Sequence, residues 1–385
     1  MITSFFQDIR LKCDEKGNYY ANGSLSNSVI ERYLNYTDKF IIVSRKEKID
    51  SNEGKKYDLL KNNKVDFQSI NKLSLSMFFG RDLKNIKRII GNSDRVIVRM
   101  PSFIGIPAII EAKKQNKKCL IEMVGCPFDA LWYHGNPIFK LFAIPTMIIN
   151  KILIKNNEYV TYVSNKFLQR RYPCKNNSYA IADVDINTSI NNFEIRKEKI
   201  KKFDKQNVIV LGTIASSLNV KYKGQQYVLK AINLLNKKGY RFKYKIVGSG
   251  SKKYLTKIAE KYNVLDQVEF VGSFPHSEVE NFNNTIDIYI QPSNAESFGR
   301  VIIEAMNTGC PVIGSSAGGI PENVNEKFIF QKRNYKDLAQ KIELMINSNL
   351  NNISEENFKI ANKYTKDKLE IQRNNMFNDF YSKEK

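Results

Sequence analysis

Histidine is almost absent from this sequence: His134 and His276 are the only two in 385 residues. A structural zinc centre has too few imidazoles, and neither histidine stands near a cysteine pair. The five cysteines (Cys13, Cys119, Cys126, Cys174, Cys310) are scattered without a short paired spacing. That pattern reads as free thiols in a reducing compartment, not as a disulfide framework. Long apolar runs are lacking too. Residues 138–154 come closest, but Lys140, Pro145, Asn150 and Lys151 interrupt them, and a bilayer span needs ~18 to 20 apolar residues. The opening MITSFFQDIRLKC lacks the basic-then-apolar layout of a signal peptide. The expected location is the cytoplasm.

Acid is scarce relative to base: 39 Asp and Glu stand against 61 Lys and Arg, a net charge of +22. So basic a chain attracts polyanions. No zinc knuckle, glycine-aromatic RNA-binding signature or basic zipper is present, so nucleic acid is not the expected partner. A basic surface resting on the anionic inner face of a membrane is the more economical use of the charge.

What is present is a rhythm. Short β-rich runs at 40–44, 95–100, 119–125 and 159–164 alternate with helical patterns, as in an open parallel sheet flanked by helices. A polar, charged stretch at 187–206 breaks the series and reads as a linker. A second series follows, with runs at 207–214, 243–250, 267–274, 287–293, 311–316 and 327–331. The expected fold class is α/β, with two doubly wound Rossmann-like domains facing a central cleft. Residues 1–188 would form the first domain, 189–206 the linker, 207–362 the second domain, and 363–385 a helix returning to the first.

The most informative segment is DIYIQPSNAESFGRVIIEAMNTGCPVIGSSAGGIPENV, residues 287–324. A strand ends at Pro292, a loop delivers Glu296, and a helix is expected from Ser297 to Asn307. The first amides of a helix lack intrahelical partners and favour anionic oxygens; here they would come from Ser297, Phe298 and Gly299. Glu304 lies eight residues after Glu296, roughly 12 Å along a helix. That is about the length from the sugar to the ribose of a nucleotide-sugar. Two carboxylates at that separation can accept hydrogen bonds from hydroxyls at both ends, with the diphosphate held between them.

This segment resembles the Glu-x7-Glu signature of glycosyltransferase family 4, the retaining group 1 enzymes of GT-B fold. Pro-Ser after the strand, Glu-Ser-Phe-Gly, the second Glu, Gly-Cys-Pro-Val and Gly-Gly-Ile-Pro-Glu fall in the same order. The resemblance implies that Glu296 contacts the donor sugar and Glu304 the ribose. It assigns the backbone of Ser297, Phe298, Gly299 and Arg300 to the diphosphate and sugar. It also makes Lys223, in Lys223-Gly224, the diphosphate partner. The family's arginine position is Thr213 here, so Lys221 is a candidate substitute. Gly248 would border the donor, with Ser273 and Phe274 near the base. In the first half, Gly23 lies in a loop that approaches donor or acceptor in similar enzymes.

The segment EMVGCPFDALWYHG (122–135) gathers Asp129, the sole tryptophan Trp132, Tyr133 and His134. It resembles a segment of bacterial capsular and surface-polysaccharide glycosyltransferases. His134 and Asp129 are therefore active-site candidates, with surface or structural roles as the alternative. His276 reads as a helix-cap residue. NPIFKLFAIPTMIINKILIKN (136–156) reads either as a packed helix or as one lying on a membrane.

The expected activity is retaining transfer from a UDP- or GDP-sugar to a glycan or polyprenyl-linked acceptor of capsule or O-antigen. No metal or other cofactor is expected. A sugar-nucleotide epimerase of the same fold is the nearest rival, though two histidines are few for its acid-base work. A non-catalytic polyanion-binding protein would explain the charge but not the spaced glutamates.

Overall fold

The protein is described by a computed structural model covering residues 1–21, 25–54, 57–70, 79–184 and 186–382. It forms two compact units. The first comprises residues 1–163, 168–181 and 372–385; the second comprises 164–167 and 182–371.

In the first unit the chain begins with a central strand, Ile2–Cys13. It pairs in parallel with Lys39–Lys48 on one side and Arg95–Met100 on the other. The sheet continues outward to Val65–Ile70 on the first side, and through Lys118–Met123, Tyr159–Tyr162 and Asn177–Ala180 on the second, all parallel. Antiparallel strands Tyr19–Ala21 and Asp58–Leu60 extend one end. Buried runs such as Val96, Ile97 and Val98 explain why these strands read as continuous apolar stretches: both faces are covered. The central strand was not anticipated, because Gln7, Asp8 and Arg10 interrupt its apolar pattern. There the pairing with Lys39–Lys48 shifts register, between Phe6 and Arg10. Such a bulge re-aims side chains locally.

The second unit repeats the plan with six parallel strands. Val208–Ser217 is central, with Arg241–Ser249 and Val268–Gly272 to one side. Ile288–Gln291, Val312–Ser315 and Ile329–Phe330 lie to the other. In both sheets the strand order reverses at the first strand. Ligands of open parallel sheets bind beyond the carboxyl ends of the strands at such a reversal.

The stretch 189–206 is not a bare linker. Ile190–Lys201 is a helix of the second unit. It is held by two residues that a polarity average conceals. Phe193 stacks on Phe358 with ring centroids 4.2 Å apart. The buried Arg196 donates to the carbonyls of Ile286 (2.8 Å) and Asn283 (2.6 Å). The C-terminal helix, Lys366–Tyr381, is divided between the units from Gln372 onward. Its Phe377 and Tyr381 pack on Tyr33 and Tyr36 in the first unit.

Candidate active site

The reversal in the second sheet lies between Val208–Ser217 and Ile288–Gln291. From the carboxyl end of the first come Lys221, Tyr222 and Lys223, in a single 3-10 turn that Gly224 closes at φ +83°. From the end of the second come Pro292 to Glu296. The two segments are in backbone contact: the Asn294 N–H donates to the Tyr222 carbonyl at 2.7 Å. A Cβ on Gly224 would sit 1.9 Å from the Pro292 oxygen, so no other residue fits.

This contact brings Lys223 Nζ to 2.9 Å from Glu296 Oε2. Both side chains are about one-fifth exposed, 17% and 20%. Burial works to lower the Lys223 pKa, but the adjacent Glu296 carboxylate outweighs it and the net shift is upward. The ammonium is therefore held charged. Glu296 is also approached by Gln291 Nε2 at 3.4 Å. Gln291 is fixed in turn by the Tyr289 hydroxyl (2.7 Å) and by Ser293 (2.9 Å). This buried polar chain holds the carboxylate, and motif reading missed it because Gln291 and Tyr289 look like ordinary strand residues.

The Ala317-Gly318-Gly319 turn supports the Glu296 loop from beneath. The Gly319 N–H donates to the Glu296 carbonyl at 3.0 Å. A Cβ on Gly318 would lie 1.7 Å from that carbonyl oxygen, and one on Gly319 would lie 2.3 Å from the Ser297 oxygen. Glu322 of the same motif is an anchor: its carboxylate accepts the N–H groups of Asn165, Lys166 and Phe167.

The helix starts later than expected. It runs Arg300–Asn307, with Gly299 as the cap residue at φ +88°. Ser297 and Phe298 precede it because Gly299 turns the chain in a conformation that side chains disfavour. Phe298 is buried edge-on against Tyr364, centroids 5.3 Å apart, so only its backbone faces outward chemistry. Arg300 is exposed on the first turn. Glu304 lies on the next turn and is 7% exposed. His276 Nε2 stands 3.1 Å from its Oε1. His276 thus belongs with Glu304 and is more than a cap residue. It brings the loop after Val268–Gly272, with Ser273 and Phe274, to the same place. Phe274 itself packs on Phe282, centroids 5.7 Å apart.

Other sequence candidates sit elsewhere. The Thr213 hydroxyl is buried between strands, donating to the Ile290 carbonyl and receiving from Tyr244, each at 2.8 Å. Lys221 Nζ lies over the Tyr254 ring at 4.8 Å. Gly248 ends a strand where a Cβ would approach the Ala215 oxygen to 2.7 Å. Gly23 lies outside the described residues.

The first unit has a cavity of about 460 Å³ at its own strand reversal. Its polar lining includes Asp8, Arg10, Arg45, His134 and Asn150, and Phe103, Leu131 and Phe139 are among its apolar walls. Asp8 comes from the bulged strand. Its carboxylate accepts the Phe103 N–H and lies 4.0 Å from Arg45 Nε. Oδ1 has no hydrogen-bond partner, and burial pushes the carboxyl above its ordinary value despite Phe103 and Arg45. The buried Asn150 Oδ1 is likewise unpartnered. Of the two first-half candidates, exposed His134 reaches this cavity, packed 4.0 Å from the Phe139 ring. Asp129 does not line it; it pairs with Arg171 at 3.0 Å. Among the described residues, no three His, Cys, Asp or Glu side chains cluster as metal ligands.

Two Rossmann-like units with these sites define a GT-B architecture. The second half, residues 192–365, matches the family model for glycosyl transferases group 1. Protein CapJ of Staphylococcus aureus is 32% identical over 383 residues, spanning 95% of this chain and 94% of CapJ. The S. aureus capsular polysaccharide biosynthesis glycosyltransferase CapM is 31% identical over 140 residues, covering 33% of this chain and 34% of CapM. Among solved structures, Anabaena Alr3699/HepE in complex with UDP and glucose superposes with a TM-score of 0.68 at 16% identity, covering 98% of this chain and all of that one. The chain belongs to the group 1 glycosyltransferases.

Proposed function

We propose that this glycosyltransferase moves a sugar from a UDP-sugar, or a GDP-sugar, to a lipid-linked glycan in the assembly of a capsular polysaccharide, with retention at the anomeric carbon. The observation that carries the reading is the Lys223–Glu296 pair at the strand reversal of the second unit, 2.9 Å apart, with the helix start and Glu304 beside it. CapM's name supports the polymer, and the UDP-bound HepE structure supports the base.

Each group has a chemical task in this reading. Breaking the bond from the anomeric carbon to the donor oxygen leaves the electron pair on the diphosphate. Lys223, Arg300 and the first-turn amides stabilise that charge where it develops. Glu296 accepts from the sugar hydroxyls. Glu304, shared with His276, accepts from the ribose. Fixed positive charge does the work of a divalent cation, so transfer proceeds without metal. The cavity around Asp8 takes the acceptor, whose hydroxyl meets the unpartnered Oδ1.

Kinetics of donor hydrolysis and transfer test this. Lys223→Ala and Glu296→Ala should each lower kcat by roughly 10²–10³-fold, with the purified product keeping the donor's anomeric configuration by NMR. Rates near the parent's in both variants would sink the assignment, and an inverted product would sink the stereochemistry.

A further inference from the structure

The helix Pro137–Lys155, PIFKLFAIPTMIINKILIK, is 19 residues long and carries no acidic residue. Residues three, four, seven and eleven apart share one face of a helix. Ala143, Asn150 and Ile154 form its buried face, and Phe139, Thr146 and Asn150 wall the cavity of the first unit. The opposite face carries Ile138, Leu141, Phe142, Ile148, Ile149 and Ile152. These stand in solvent, from 44% exposed at Ile149 to 75% at Leu141. A continuous apolar stripe of this kind marks an interaction surface. Lys140, Lys151 and Lys155 are exposed along one edge of it.

We propose that this face docks the protein flat on an anionic lipid surface, with the apolar stripe in the acyl boundary and the lysines among the headgroups. By length and composition the helix could cross a membrane. Its packed inner face argues against that: Asn150 is 1% exposed and Ile154 is fully buried, and both would have to leave the fold. The lysines, on a helix whose own sequence has no acid, choose the partner: an apolar protein surface gains nothing from them, while anionic headgroups attract them. The net charge of +22 acts in the same direction. Because the helix also walls the cavity, a lipid-anchored acceptor would enter from the surface on which the protein rests; that last step alone depends on the acceptor reading above.

Trp132, the only tryptophan, is a built-in reporter. It is 36% exposed, and Lys140 Nζ lies 5.7 Å from its ring. The test is flotation of the full chain with vesicles of phosphatidylcholine alone or enriched in phosphatidylglycerol, alongside Trp132 emission. The chain should float with the anionic vesicles, less with the neutral ones, and its emission should shift to the blue. L141S/I148S/I152S should lower partitioning at least about tenfold, and K140Q/K151Q/K155Q should erase the preference for anionic lipid. All substituted side chains are exposed, so melting behaviour and hydrolysis of soluble UDP-sugar should match the parent. Retained hydrolysis separates this test from the donor assignment. The proposal is overturned if the parent floats with neither vesicle, or if the serine variant floats as well as the parent. It is also overturned if sedimentation reveals a self-association that the serine variant loses while neither protein floats, which would assign the face to a second copy.

Discussion

Single side chains carry the chemistry here, and they differ in how visible they were beforehand. Glu296 and Glu304 could be named from their eight-residue spacing inside a segment that Pro292, Gly299 and Gly309 punctuate, and Lys223 from the resemblance carried by Lys223-Gly224. Asp8 could not, because a lone acid within a strand has no motif. Only the fold places it beside Arg45 and Phe103 at the strand reversal. Its raised carboxyl makes a prediction with a definite sign. Between the ordinary value of 3.8 and its raised one, the folded protein keeps a proton that the unfolded chain releases. Folding stability therefore falls as pH rises through that window. Asp8→Asn cannot titrate, so its stability should decline less, and the variant should gain on the parent as pH rises. Urea unfolding across a pH series measures this; parallel curves for the two proteins would refute it.

At the level of elements, strands were legible and several connections were not. All six strands of the second sheet appear where β-rich apolar runs stand, because burial on both faces removes polar alternation. The helix Ile190–Lys201 was hidden because its stability rests on Phe193 and a buried arginine, and composition counts the arginine as polar. The start of Arg300–Asn307 was misplaced because Gly299 needed its left-handed conformation to be recognised. The loops of the proposed donor site are held by main-chain approach, and this gives a second prediction. Gly318→Ala combines a positive φ of +56° with a Cβ 1.7 Å from the Glu296 carbonyl oxygen. The cost should be about 3 kcal/mol or more, with loss of nucleotide binding. Gly17→Ala is the control: its φ is +84° but nothing lies within 4 Å, so only backbone strain of about 1 to 2 kcal/mol applies. Chemical denaturation of both, with UDP titration, compares them; equal destabilisation would mean that the close approach is unimportant.

Across the whole molecule, the division into two α/β units follows from two runs of alternating patterns, and the family from one motif in the second. The first unit's cavity was illegible, since its lining comes from positions 8 to 150 that no local pattern connects. If the donor binds where the second sheet reverses, UDP-glucose should slow hydrogen exchange most in three separated segments: 221–224, 296–304 and 317–320. Mass-spectrometric exchange of the intact chain reads this directly, and strongest protection outside those segments would move the donor site. Saturating ligand at ~100 times its Kd should add about 2.7 kcal/mol of stability.

The pairing of Lys223 with Glu296 also bears on which ligands the enzyme ignores. With no donor present the two charges compensate each other, which leaves Arg300 and the helix-start amides as the attraction for anions. Inorganic phosphate could satisfy the ammonium only by stripping the carboxylate of its ion-pair partner, leaving a largely buried charge with only Gln291 beside it. In the proposed reading a nucleotide-sugar would supply an anion for the lysine and hydroxyls for the glutamate in one molecule. On that reading the exchange is balanced for a nucleotide-sugar and not for inorganic phosphate, which should inhibit only weakly.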